Sequence, residues 1–526
     1  MMLMKRLLIV ILAGCLFWPA AAQPAERVFL ATDRDWYAAG ETVWLSAFCV
    51  TGEPRLSQAS SIAYVELVGA DGPAVTAKVA LSRGRGAGAL ELPRTLPTGN
   101  YRLYGYTALT GDACAVSRIL SVYNTLSTAR VEGGVSVGEA PESPVRASSS
   151  LLQAAQLPSG ELRITARTSA TLSVSVVRNE PLPSYGSPAV WGAFSDVTDS
   201  VVPEYDGEIV TLHLSGADGQ PLPSRRVFVS RPGHPGDVYS TTLQPDGTAR
   251  FYTCNFFGPG DLVVSLEKGA PAFKAELEQP FRGLAAGELP PLVLSPALSD
   301  AINRLGVRMQ LTAAFDADTL YSRLPVRELP FISEEGVLYR LDDYTRFSTL
   351  QEVFTEYLSD IRVRGRGESL ELQVRCRDRA RNTLSFRDQP SLMLVDGVPV
   401  LDHSLVYQLE PALVKAIEVY RYGVGLGSVF SGVANFITFK GDMGGIRFGD
   451  NVRILSYEGP AYPMSFGPSS SDLHPQERET LLWQPLVDLS AGESLVLPPI
   501  EADEGCVLTV EGLTSDGDPV FFRMGW

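Results

Sequence analysis

The chain has 526 residues, 45% of them hydrophobic and only 20% charged, enough apolar material for several cores and three or four domains. Its net charge of −16 argues against a nucleic-acid partner, because neutralising phosphates needs a basic face. With 37 prolines and 48 glycines it suits short strands joined by turns, so the expected class is multi-domain and mainly β, several sandwiches plus one small α/β domain.

Residues 1–22 read as a signal peptide. Lys5 and Arg6 precede an apolar run from Leu7 to Trp18, and Ala20-Ala21-Ala22 offers a small-residue cleavage site. No other stretch approaches 18 uninterrupted apolar residues, so an exported protein without a membrane helix is expected, in the periplasm or associated with the outer membrane. Leu12-Ala13-Gly14-Cys15 also resembles a bacterial lipobox, which would make Cys15 an acylated N-terminus. Cleavage after Ala22 and lipidation at Cys15 both stay open. The cysteines beyond this segment, at 49, 114, 254, 376 and 506, form no C-x-x-C pair, which excludes a metal knuckle of that spacing. Cys49 and Cys114 lie in one predicted domain, so a disulfide between them and buried free thiols are both open.

Residues 26–125 form the clearest module. The polar turn Asp33-Arg34-Asp35-Trp36-Tyr37-Ala38-Ala39-Gly40-Glu41 leads into an apolar strand at Thr42 to Phe48, and strands follow at Ala63 to Val68 and Ala87 to Leu92. Leu96-Pro97-Thr98-Gly99-Asn100-Tyr101-Arg102-Leu103-Tyr104 closes it with apolar–polar alternation. The Asp-x-x-x-Tyr-x-x-Gly-Glu opening and the Leu-Pro-x-Gly-x-Tyr-x-Leu close resemble the macroglobulin-type β-sandwich of the alpha-macroglobulins. Residues 126–150, rich in Ser, Gly, Pro and Glu, read as a linker.

Residues 151–203 supply strands of a second macroglobulin-like unit. Residues 204–290, with turn signals at Gly216 to Gly219 and Pro245 to Gly247, resemble a carboxypeptidase-regulatory or Ig-like sandwich. The stretch 295–345 is expected to be a helical connector, in which Leu298, Ile302, Leu305 and Met309 share one face of a helix. A second helix, Thr349 to Leu358, is expected to be capped by Ser348 with Gln351 completing the box, and to bury Leu350, Val353, Phe354 and Tyr357.

Residues 346–441 carry the most specific pattern. Ser391 to Val400 reads SLMLVDGVPV, Leu413 to Gly423 reads LVKAIEVYRYG, and Gly432 to Lys440 reads GVANFITFK. This run resembles the plug domain of TonB-dependent receptors. A 22-stranded transporter barrel needs roughly 220 residues for its strands, more than positions 441–526 provide, so a plug without its own barrel is expected. Asp396-Gly397 is a hairpin signal. Gly423 to Ser428 imitates a nucleotide loop, but a β-branched strand follows where such a loop needs a helix. The resemblance makes the loops Asp402 to Tyr407 and Tyr422 to Phe430 candidate binding surfaces, while no TonB-box segment is evident. Residues 442–526 read as a C-terminal macroglobulin-like β region.

Chemistry-bearing motifs are sparse. The reactive thioester of the macroglobulin family needs Cys-Gly-Glu-Gln, and Gly505-Cys506-Val507-Leu508 lacks both partners. His213, His234, His403 and His474 form no metal or hydrolase motif, so no catalytic role, metal or cofactor is expected. The arginines carry more. Arg362, Arg364 and Arg366 alternate along one strand, and Arg375, Arg377, Arg379 and Arg381 along the next, so two paired strands would present a guanidinium ladder. Such a ladder would bind lipopolysaccharide phosphates or an acidic partner, or simply guard a solvated edge against aggregation.

The pairing of macroglobulin-like and plug-like modules implies an envelope protein of a Bacteroidetes-type bacterium. The expected function is a non-catalytic binding or scaffold subunit, docking on an outer-membrane protein through the plug-like domain. The alternatives are an accessory of TonB-dependent uptake and a protease-interacting macroglobulin relative without a thioester.

Overall fold

The computed structural model describes residues 25–52, 55–111, 117–139, 149–185, 201–233, 236–254, 256–315, 321–325, 336–378, 382–426, 429–466, 478–500 and 505–525. Cys15, Cys114, His234, His474, Arg379 and Arg381 lie outside them. The chain is multi-domain and mainly β, and it divides into two compact units, one of residues 1–205, 282–322 and 464–526, the other of 206–281 and 323–463. No helix among the described residues is long and apolar enough to cross a membrane.

In the first unit, the strands Glu26–Thr32, Thr42–Thr51 and Arg85–Glu91 form an antiparallel sheet. It faces a five-stranded sheet ordered Trp36–Ala38, Ser117–Tyr123, Gly99–Tyr106, Ile62–Gly69, Gly72–Ala80. Val28, Leu45, Val65, Leu67, Leu103 and Val122 fill the space between them. The conspicuous polar turn of the sequence is bonded to itself. Asp33 Oδ1 accepts from the Tyr37 hydroxyl at 2.7 Å, Glu41 Oε2 accepts from the Ala38 N–H at 2.6 Å, and Gly40 takes φ +98°, which a side chain resists.

The second sandwich of this unit is assembled from two distant stretches, residues 152–178 and 480–525. Ala170–Arg178 lies between Thr480–Leu489 and Cys506–Thr514, and Pro519–Gly525 completes the sheet. Leu162–Ala166 pairs with both Leu152–Gln156 and Ser494–Leu497. Residues 442–526 are therefore not a separate C-terminal region. Their last strands close the sandwich that 151–203 begins, and Val452–Glu458 pairs with Pro259–Leu266 in the second unit. The expected linker is partly structured, because Val135–Val137 pairs in parallel with Leu292–Leu294. The helix Ser299–Phe315 buries Ala301, Leu305 and Met309 against Trp36, Tyr123, Leu182 and Leu292; of the expected face, Leu305 and Met309 are buried there, Ile302 is half-buried and Leu298 lies in the turn before the helix. Its lead-in is a short turn whose Ser295 hydroxyl accepts from the Ala297 N–H.

In the second unit, residues 209–277 and Val452–Glu458 make a small sandwich around Leu212, Val229, Phe251, Val264 and Phe273. A mixed five-stranded sheet follows, ordered Val337–Arg340, Val414–Tyr420, Val433–Thr438, Leu392–Val395, Val398–Pro399. Its one parallel pair joins Leu392–Val395 to Val433–Thr438. The stretch from Ser391 to Phe439 is thus one compact mixed unit. Residues 295–345 are not wholly a connector, since Val337–Arg340 is the edge strand of this sheet, antiparallel to Val414–Tyr420. The helix Leu350–Glu356 buries Leu350, Val353 and Phe354 in the same core as Met393, Ile417 and Phe436, with Tyr357 half-buried beside them. Its cap is one position later than expected: Thr349 and Glu352 form the capping box, and Ser348 only adds a 3.0 Å bond to Glu352.

Two loops of the sequence reading acquire definite forms. Asp402 to Tyr407 is a short helix, His403–Tyr407, capped by the Asp402 carboxylate. Val424–Gly425 pairs with Val429–Phe430 as a small hairpin, so no helix opens there to receive a pyrophosphate. Cys49, Cys254, Cys376 and Cys506 are free thiols.

Candidate functional site

The arginines lie at one end of the mixed-sheet domain. Alternation places Arg362 and Arg364 on the solvent face of Ile361–Arg364, because Ile361 and Val363 turn toward the core. Arg366, at the turn that follows, is also exposed. The expected guanidinium ladder across two paired strands does not form. The partner strand is Glu371–Val374, which sets Gln373 opposite Arg362 and Glu371 opposite Arg364. The chain then leaves that pairing at Arg375, whose N–H goes to the Asp360 carbonyl at 2.9 Å, while the Arg377 N–H goes to the Arg421 carbonyl at 2.7 Å. Cys376–Asp378 pairs instead with Thr383–Ser385. Alternation fixed the faces of these arginines, but the bend at Arg375 fixed their partners.

What the fold does bring together is Arg362 and Arg375, on one aromatic ring. The Arg362 guanidinium carbon lies 4.3 Å from the Phe386 ring centroid, and that of Arg375 lies 5.3 Å from it. Arg362 Nε also donates to Gln373 Oε1 at 2.9 Å. Arg364 pairs with Asp388 at 3.2 Å, and Arg377 donates to Asn382 at 2.6 Å. Phe386 and Gln373 were missed by sequence reading. A lone phenylalanine in a polar stretch gives no periodic signal, and Gln373 stands out only once the register is known.

Buried polar groups hold this end of the domain in place. Asp360 Oδ2 accepts from Arg421 Nη2 at 2.5 Å and from the Tyr339 hydroxyl at 2.7 Å. Burial, and then this carboxylate, push the Tyr339 hydroxyl above its ordinary value. His403 Nδ1 accepts the Leu372 N–H at 3.0 Å, tying the helix His403–Tyr407 to the strand Glu371–Val374. Burial pushes the His403 imidazole down to about 4, against the pull of Asp402. An unfolded histidine takes its proton near 6.5, so this contribution to stability is complete above that pH. It is lost as pH falls from about 6.5 to about 4, where the buried ring at last protonates. Chemical denaturation at a series of pH values is expected to show roughly 3 kcal/mol less stability of the second unit from this group at the acid end. His403→Gln, which keeps an acceptor but not the titration, is expected to remove that part of the dependence.

Asp396, the other conspicuous acid, serves the fold. Its carboxylate accepts from the Thr438 N–H at 2.7 Å, the Thr438 hydroxyl at 2.6 Å and the Met443 N–H at 2.9 Å. Asp396 and Gly397 both take positive φ, 49° and 82°, as a two-residue hairpin turn of the primed type requires.

No protein-family model and no curated relative matches the chain. Among solved structures it is similar to the trypsin-activated alpha-2-macroglobulin of Escherichia coli, at 10% identity, TM-score 0.17, covering 96% of this chain and 24% of that one. It is also similar to the E. coli alpha-2-macroglobulin activated by porcine elastase, at 9% identity and TM-score 0.23, covering 95% of this chain and 43% of the other. The E. coli adhesin FdeC aligns at 16% identity and TM-score 0.16, over 52% of this chain and 66% of its own. The chain thus spans about a quarter of the first macroglobulin, and likenesses at these scores carry no functional argument.

Proposed function

We propose that the chain is a non-catalytic binding and scaffold subunit of the bacterial outer-membrane envelope. In this reading the sandwiches are spacers and contact surfaces, and the mixed-sheet domain docks on a partner outer-membrane protein. The observation that carries it is the exposed row Arg362, Arg364 and Arg366, backed by Arg375 on Phe386, in a chain of net charge −16. A local positive face on an acidic protein steers an acidic, complementary partner toward it. The face lies on a separate two-stranded sheet of the same domain whose five-stranded sheet keeps the DGVP hairpin and the strand pattern that resemble a receptor plug. Uptake through a partner barrel is therefore the specific form of docking favoured over protease trapping.

The test is affinity capture of the tagged chain from detergent-solubilised envelope, comparing the natural sequence with the Arg362→Glu, Arg375→Glu pair. An outer-membrane protein is expected to co-purify with the first and to fall at least about tenfold with the second, as expected when close charge pairs turn repulsive. Recovery of no envelope protein with the natural sequence would remove the docking reading, as would robust turnover of a small molecule by the purified chain.

A further inference from the structure

We infer that the arginine face takes an acidic, extended peptide segment of the partner protein, laid along Ile361–Arg364 with carboxylates at alternate positions. This deepens the docking reading and rests on it. Arg362 and Arg364 stand two residues apart on one strand, both exposed, and Arg366, past the positive-φ Gly365 at the turn that follows, is exposed beside them in sequence. Side chains at that separation on a strand repeat every ~6.6 Å. An extended peptide with an acid at every second residue has the same repeat, so each carboxylate meets one guanidinium fork. Phosphates on separate lipid headgroups have no such fixed spacing.

Three further observations favour a peptide. Among the described residues, Ile361–Arg364 pairs with Glu371–Val374 alone, so its outer edge offers backbone groups to a third strand. Gln373 is 1% exposed, and with its Oε1 taken by Arg362 its Nε2 meets no acceptor among the described residues. The same Gln373 Oε1 fixes Arg362 Nε, so the guanidinium presents a set face to an arriving carboxylate. Stacking on Phe386 holds the planes of Arg362 and Arg375 while leaving N–H edges available for an anion. Asp388, the acid paired with Arg364, is 97% exposed on its side chain and is displaced at little cost.

The experiment uses the full chain and a fluorescent peptide of about nine residues alternating Glu and Val, read by anisotropy. A peptide of the same composition with its glutamates in one block is expected to bind at least about tenfold more weakly, the difference of one well-made charged contact. Arg362→Ala and Arg364→Ala are each expected to weaken the alternating peptide about threefold to tenfold, and Gln373→Leu about threefold, while Arg250→Ala on the small sandwich changes nothing. Arg362→Lys keeps the charge without the fork and gives the same answer if the alanine variant fails to fold. Equal affinity for both peptide orders would overturn the inference. So would displacement of the peptide by inorganic phosphate or by lipopolysaccharide vesicles at matched charge. Failure of partner capture by the natural sequence defeats the docking reading itself. Capture that persists in excess alternating peptide defeats only this inference.

Discussion

Arg118→Ala is expected to destabilise the first unit by roughly 3–5 kcal/mol, the loss typical of stripping the partner from buried carboxylates. Arg118 reaches Glu511 through Nη1 and Nη2 at 2.6 and 2.7 Å and Asp35 through Nε at 2.8 Å. Its side chain is 10% exposed, and those of Asp35 and Glu511 are 10% and 5%. Burial alone would raise the Asp35 carboxyl, yet Arg118, with help from Ser184 and Arg523, holds it below the usual carboxylate range. Without the guanidinium both acids remain in a dry site, and one partner of each charge-assisted bond is gone. The pair also joins position 118 of the first sandwich to position 511 of the second. Urea denaturation followed in the first unit checks this. Adding Glu511→Leu to Arg118→Ala is expected to recover part of the loss, since one orphaned carboxylate is removed. A change below about 1 kcal/mol in the single variant would mean that the pair behaves like a solvated surface contact.

Asp396→Ala is expected to cost the mixed-sheet domain about 3 kcal/mol. The substitution leaves the buried Thr438 N–H and the half-buried Met443 N–H without their acceptor and makes alanine hold φ +49° without the local bonds of the carboxylate. Asp396→Asn keeps one carbonyl acceptor and tolerates the left-handed backbone, so it is expected to lose less than half as much. Thermal unfolding of the two variants distinguishes these. If partner capture falls in Asp396→Ala in step with the domain's melting, while Arg362→Ala loses capture without melting, the arginines act as a surface and Asp396 as a support.

Much of this fold was legible where strands adjacent in sequence are also adjacent in space. The sandwich at 26–125 and the Asp396–Gly397 hairpin belong to this class, because turn chemistry and local alternation specify both. The sandwich that joins residues 152–178 to 480–525 was not legible. Ala170 lies opposite Thr514, and no local pattern says which distant strand will fill an open edge. The same blindness affected Val452–Glu458, an alternating strand whose partner, Pro259–Leu266, lies far upstream. At the candidate site, periodicity placed Arg362 and Arg364 on the solvent face, but Arg375 and Arg377 are half-buried, and Arg379 and Arg381 lie outside the described residues. It could not show that Gln373 and Glu371 stand across from them or that Phe386 gathers Arg362 and Arg375. A two-residue repeat reports a face; only register and bends report neighbours.

The central claim is that this chain works by docking through the arginine-bearing end of the mixed-sheet domain. Photo-cross-linking in intact cells tests it most directly, with a photoreactive residue placed at Ser385, beside Phe386, and in a second strain at Gln153 on the first unit; both positions are exposed. The account predicts one discrete adduct with an outer-membrane protein from position 385, lost on adding Arg362→Glu, and none of that mass from position 153. The same adduct from both positions, or an adduct from 385 that survives Arg362→Glu unchanged, would contradict it.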